Sequence, residues 1–260
     1  GAFSDCSSLT NVTIPDSVTC IVSRTFSDCS SLESVTIPSS VTSIEYEAFN
    51  NCGSLKSVYI TDIAAWCNID FSNKTSNPLY YASELYVDNK VVAEQLIIPD
   101  GVTNISSYAF TNCDGFTSII IPDSVTTIEY GAFYACSSVA SISLPSNIRV
   151  VRLFCDPNNV TVDTEQKSIP LSLREVVIVG GDHITDGMLK GFSLLTDITI
   201  SESVTSIGND AFRDCSGLTG ITIPESVTSI GGDAFRGCSG LTGITIPDSV
   251  TSIDYQAFYD

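Results

Sequence analysis

The feature that most limits how this chain can fold is a period of 23 residues. Phe3, Phe26 and Phe49 are 23 apart, as are Phe110 and Phe133, and again Phe212, Phe235 and Phe258. Aligned on these rings, the unit reads A-F-x-x-C-x-x-L-x-x-I-x-I-P-x-S-V-x-x-I. Each part has a physical reading. The L-x-x-I-x-I segment alternates apolar and polar residues at its end, which predicts a half-buried strand. In one copy Leu218, Ile221 and Ile223 should point inward and Thr219, Gly220 and Thr222 outward. Pro15, Pro38, Pro99, Pro122, Pro145, Pro224 and Pro247 then close the strand, because proline donates nothing to a ladder. The Val and Ile three residues apart that follow predict a short second strand. The Phe-to-Cys spacing is that of one helical turn with both side chains inward, and Gly217 and Gly240 after it are expected to supply a left-handed cap.

One such unit cannot bury its own apolar face, and stacked units can, so the sequence specifies a solenoid. Strand cores are expected near Leu9, Leu32, Leu55, Ala93, Phe116, Val139, Leu173, Leu195, Leu218 and Leu241, with a weaker rung at "NNVTVD".

The unit "AFRDCSGLTGITIPESVTSIG" and its copies resemble the BspA-type, or Treponema-type, leucine-rich repeat of bacterial and protist surface proteins. The resemblance covers most of the chain. It implies a right-handed leucine-rich repeat solenoid, mostly β, with a parallel sheet on the concave side, short second strands and short helical turns. It further implies a secreted or cell-surface location, adhesion or protein recognition with a host matrix or cell-surface component as partner, and no catalysis. Both chain ends fall inside a repeat unit, so residues 1–260 are read as one solenoid cut from a longer protein.

The period fails in two stretches, read as elaborated rungs at 61–99 and 149–190. The first carries the lone Trp66 and "NPLYY", and similar insertions resemble others in the same family. Two readings of it are open: a rung with Trp66, Phe71 and Tyr80 as a miniature core, or a protruding ligand loop. "LYVDNKVV" within it predicts a tight hairpin at Asp88 and Asn89. The second contains "GGDHITD", expected to be a turn on the convex side.

Charge excludes some partners. With 11 Lys+Arg against 30 Asp+Glu the net charge is -19, which repels nucleic acid and anionic lipid. No apolar run approaches the roughly 20 residues of a membrane span, so no membrane insertion is expected. Neither a metal nor an organic cofactor is expected. Of the ten cysteines, Cys6, Cys29, Cys52, Cys113, Cys136, Cys215 and Cys238 keep the period and read as small buried hydrophobes. Cys20, Cys67 and Cys155 are off register, and Cys20 takes a slot that is polar in other units, so it should be the more accessible thiol. Asp16, Asp100, Asp123, Glu225 and Asp248 recur after the proline. A calcium ladder is one account of them, and turn chemistry is the better one, since Ser39 and Ser146 fill the same slot. His183, the only histidine, lies near Asp182 and Asp186 without a nucleophile motif. Sequons stand at Asn11, Asn73, Asn104 and Asn159.

Only the outward strand positions are free to vary. The residue between the two inward aliphatic positions is Thr13, Thr36, Tyr59, Ile97, Ile120, Ser143, Val177, Thr199, Thr222 and Thr245 along the chain. Threonine is the default. Tyr59, Ile97 and Ile120 replace it with an apolar stripe on what read as three adjacent rungs, flanked by Lys56 and Glu94, and this is the candidate partner-binding site. The alternative is a structural spacer or stalk with no ligand of its own, which the Thr/Gly surface of the last rungs favours. An enzymatic site in the second break is the least favoured reading.

Overall fold

The computed structural model describes residues 1–146, 148–150 and 173–260. Over these the chain winds into a parallel β-solenoid with little helix. Long strands form two stacks. The first runs through Asn11–Thr13, Ser34–Ile37, Ser57–Ile60 and Glu84–Val87, and the second through Glu94–Ile97, Phe116–Ile120, Ser141–Pro145, Glu175–Val179 and Asp197–Ile200. Register follows the repeat: Val35 lies on Val58 and Ile37 on Ile60, while Ile119, Ile142, Val176 and Ile198 form one column. A second face stacks strands of two residues, for example Cys20–Ile21 on Ser43–Ile44 and Ser206–Ile207 on Ser229–Ile230. The third face carries the Ala-Phe segment.

That third face is also laddered. The amides of Arg24, Phe26 and Asp28 donate to the carbonyls of Tyr46, Ala48 and Asn50 one rung on, at 3.1, 2.8 and 2.8 Å. Inside it the rings stack, with Phe3 on Phe26 at 5.5 Å, Phe26 on Phe49 at 5.3 Å and Phe212 on Phe235 at 5.1 Å. The thiols of Cys52 and Cys238 donate to the carbonyls of Phe26 and Phe212 in the preceding rung, both at 3.1 Å. The repeat cysteines from Cys29 onward are buried free thiols. Each fully buried Leu, Ile or Phe contributes about 1.5–3 kcal/mol, so stacking supplies the stability that one rung lacks.

Phe and Cys face inward as their spacing predicts, but the backbone carrying them is a run of tight turns. Two positions per unit are left-handed. One lies two residues before the phenylalanine (Arg24, Glu47, Tyr108, Asp210) and one just before the cysteine (Asp28 φ 62°, Asn51 φ 60°, Asn112 φ 58°, Asp214 φ 61°). Asp and Asn tolerate this region better than other side chains, which accounts for their recurrence there. Gly217 and Gly240 are not the left-handed residues. A Cβ at Gly217 would lie 2.6 Å from the Ser193 carbonyl oxygen, and one at Gly240 2.5 Å from that of Ser216. Glycine is used there because the preceding rung's backbone comes too close for a side chain.

The first insertion is built into the stack. Its helix Ile63–Cys67 is capped by the Asp62 carboxylate, which accepts from the Ala64 amide at 2.7 Å. Asp70–Phe71 pairs with Ser43–Ile44 and so keeps the short-strand ladder. Trp66 and Phe71 are buried edge to face at 5.3 Å. Leu79, fully buried, completes this core, while Tyr80 is only half-buried. The Trp66 indole N–H donates to the Ala109 carbonyl at 2.7 Å, and Asn77 Nδ2 donates to those of Tyr108 and Ala109 at 2.7 and 3.1 Å. The expected hairpin forms: Asp88 (φ 48°) and Asn89 (φ 62°) make the turn joining Glu84–Val87 to Lys90–Val91, both left-handed as a two-residue type I′ turn requires. Glu84–Val87 adds a rung between Leu55 and Ala93 that the period does not mark.

Within the second break, Asn147 and residues 151–172, including Cys155, Asn159 and "NNVTVD", lie outside the described residues. In its remainder "GGDHITD" is not a simple turn, since His183–Ile184 is a short strand paired with Ser206–Ile207. Leu189 then occupies the slot of the repeat phenylalanine, and its carbonyl accepts from the Cys215 thiol at 3.1 Å.

Candidate binding surface

The outward residues of the long strands form one column per stack. In the first, Thr13, Thr36, Tyr59 and Tyr86 are register partners, and the antiparallel Val91 follows opposite Tyr86. In the second, Ile97, Ile120, Ser143, Val177 and Thr199 are partners. Tyr59 and Ile97 are therefore not on adjacent rungs, because the rung Glu84–Val87 and its hairpin intervene. Sequence reading missed Tyr86 and Val91. Their signal is present in "LYVDNKVV", but a 23-residue period does not count that hairpin as a rung.

The Tyr59 and Tyr86 rings stack at 4.6 Å with an interplanar angle of 23°. The Glu84 carboxylate organises this pair, accepting from Ser57 Oγ at 2.9 Å and from the Tyr86 hydroxyl at 3.1 Å. That bond to a carboxylate holds the Tyr86 phenol above its ordinary pKa, because it favours the protonated form. Ile97 is 54% exposed and Val91 49%, while Tyr59, Tyr86 and Ile120 are half-buried. Lys56 at the margin pairs with Glu33 at 3.5 Å, a solvent-exposed ion pair of the kind worth little energy. Glu94 stands at the register shift beside Phe116 with φ 62°, and its amide donates to the Gly115 carbonyl at 3.2 Å. A left-handed glutamate is a strained backbone position, and here it lies at the start of the second stack.

The remaining candidates do not converge on this face. His183 is exposed, and its Nδ1 lies 2.7 Å from Ser206 Oγ. The Asp186 carboxylate accepts from the Asn209 amide at 2.7 Å, so it serves the neighbouring rung. Among the described residues no group of three or more His, Cys, Asp or Glu is arranged to hold a metal ion. Cys20 is half-buried, its Sγ 3.7 Å from Glu45 Oε1. The Ser23 amide and hydroxyl both donate to the other Glu45 oxygen at 2.9 Å and hold that carboxyl below the usual range. A thiol-reactive label on the native protein should therefore modify Cys20 and the half-buried Cys6 well before Cys215 or Cys238. Equal rates at all four, read by peptide mass mapping, would refute the buried ladder.

A family profile described as the BspA type leucine rich repeat region, in six copies, matches residues 1–78, 86–161 and 182–260. The chain belongs to this family. The profile leaves residues 79–85 unmatched, and the extra rung Glu84–Val87 straddles the edge of that gap. Among solved structures, a leucine-rich repeat protein from Bacteroides ovatus is 25% identical, with a TM-score of 0.52 over 99% of this chain and 78% of that one. Another from Eubacterium ventriosum is 18% identical, with a TM-score of 0.46 over 96% and 81%. A leucine rich cell surface protein from Faecalibacterium prausnitzii is 24% identical, with a TM-score of 0.37 over 95% and 87%. No curated protein matches the BspA-type chain.

Proposed function

We propose that this chain is a non-catalytic adhesion module of a secreted or cell-surface protein, and that it binds a protein partner through the outer, concave face of its long strands. The observation that carries this reading is the exposure of Ile97, at 54%, on a face whose default residue is threonine. The stacked Tyr59 and Tyr86 and half-exposed Val91 add apolar surface on the outward column of the first stack. Exposed apolar and aromatic groups set among polar residues are what protein interfaces bury. Lys56 and Glu94 form its charged margin. Family membership supports protein recognition and a surface location, and the net charge of -19 disfavours nucleic acid and anionic lipid as partners. Among the described residues no helix is long and apolar enough to cross a membrane.

The spacer reading has one observation of its own, confined to the last rungs. Gly220 and Gly243 on the same face have nothing within 4 Å of a Cβ position, so that surface is bare backbone between threonines.

Capture of the protein by immobilised host matrix proteins or by partner cells tests the reading. Ile97→Asp and Tyr59→Asp are each expected to lower capture about tenfold or more, with Thr222→Asp unchanged. Equal capture by all three variants would leave the spacer as the function.

A further inference from the structure

Neighbouring rungs elsewhere in the described residues share a parallel backbone ladder on at least one face. Where the long-strand ladder lapses after Asp197–Ile200, for instance, the short strands Ser206–Ile207 and Ser229–Ile230 remain paired. Between the first stack, ending at the hairpin strand Lys90–Val91, and the second, beginning at Glu94–Ile97, no strand pairs with any strand on either sheet face. Among the described residues a single main-chain hydrogen bond crosses this boundary, from the Ser106 amide to the Cys67 carbonyl at 2.8 Å.

Side chains of the insertion take over the missing work. Trp66 donates to the Ala109 carbonyl, and Asn77, fully buried, donates to those of Tyr108 and Ala109. Asn112 of the second stack reaches back to the Tyr80 carbonyl at 3.3 Å. Lys74 lies over the Tyr80 ring at 5.7 Å and over the Tyr134 ring of the second stack at 5.4 Å. On its other side the insertion is tied to the first stack, because the Tyr81 hydroxyl donates to Asn50 at 3.0 Å and accepts from the Asn51 amide at 3.1 Å. Apolar packing continues through the boundary in one core.

We infer that the insertion is a clasp, and that the solenoid consists of two separately laddered stacks which part at this seam before either unfolds. In a stacked protein, stability is a sum of rung and interface terms, and the interface with the fewest directional bonds opens first. The seam also divides the apolar face. Tyr59, Tyr86 and Val91 belong to one stack and Ile97 and Ile120 to the other, so a partner covering both would lock the seam. That last consequence rests on the proposed function, and the seam itself does not.

The test needs no partner. Trp66 is the lone tryptophan and sits on the seam, so its fluorescence reports seam opening while far-UV circular dichroism reports the strands. In urea, the Trp66 transition of the full chain is expected at a lower midpoint than the main loss of ellipticity. Asn77→Ala should lower the Trp66 midpoint by roughly a further 0.5–1 M, leaving the main ellipticity step in place. If Asn77→Ala does not fold, the milder Asn112→Ala should shift the same transition in the same direction. Coincident transitions by both probes in the unaltered chain, or a variant that moves both together, would overturn the inference and leave the binding reading untouched.

Discussion

Raising the pH from 9 to 11 in reducing buffer should unfold this protein, and the buried thiols should be the cause. Cys67, Cys113, Cys136 and Cys215 are buried among apolar side chains, and burial pushes each thiol well above its ordinary value. Cys52 is pushed up to about 12 and Cys238 to about 11. The sign follows from linkage. A thiol is neutral when protonated, so a folded pKa above the unfolded one means that the unfolded chain releases its proton first. The associated stability is complete below the unfolded value of about 8.5 and is lost as pH rises toward the folded values. Each of the four most buried thiols then costs about 1.4 kcal/mol per pH unit, or roughly 5–6 kcal/mol together. Domains are typically stable by about 5–15 kcal/mol, so one to two units above pH 9 should suffice. Ellipticity against pH measures this. Tyrosines and lysines also titrate in this range, so the diagnostic variant is Cys113→Ala/Cys136→Ala. It should be somewhat less stable at pH 7 and lose stability about a third less steeply above pH 9. An unchanged slope would assign the alkaline transition to other groups.

Phe235→Ala is expected to cost about 3–5 kcal/mol, and Phe258→Ala about 1 kcal/mol, although the two residues occupy the same position of the repeat. Phe235 is 2% exposed and sandwiched, 5.1 Å from Phe212 on one side and 5.1 Å from Phe258 on the other. Phe258 is 38% exposed and stacks on Phe235 alone. Truncating the first removes two ring contacts and leaves a cavity that the ladders on either side cannot close. Truncating the second mostly exposes the Phe235 face to solvent. Urea midpoints of the two variants measure the difference, and Phe235→Leu should recover more than half of the loss. Comparable costs for Phe235→Ala and Phe258→Ala would mean that the ring stack contributes no more than its end.

Much of this architecture is legible in the sequence, because a fixed period forces each residue to neighbour its own copy. The inward Leu, Ile and Val columns, the proline stops and the buried cysteines follow from that alone. The left-handed slots are also written there, in the Asp or Asn before Cys6, Cys29, Cys52, Cys113 and Cys215, but a glycine three residues later is the more familiar signal for that conformation. That glycine answers to a carbonyl of the preceding rung, at Ser193 or Ser216, a contact which only the stack creates. The same limit hides the partners of Trp66 and Asn77, which lie 43 and 31 residues away. On the binding face, Tyr59, Ile97 and Ile120 stand out against threonine as soon as the units are aligned. Tyr86 and Val91 do not, because the rung that carries them falls off the 23-residue spacing, Tyr59 pairing with Tyr86 across an insertion.

In-register stacking also makes the length of this molecule a countable quantity. A unit of 23 residues would span roughly 76–83 Å as extended chain, yet it advances a strand stack by only about 4.8 Å. Most of the polypeptide is spent on stiffness and little on reach. Because "GLTGITIP" recurs verbatim 23 residues on, recombination between such copies can add or remove a whole unit. Every remaining side chain then still meets its counterpart, so reach can change in increments of one rung without any residue of the core being redesigned.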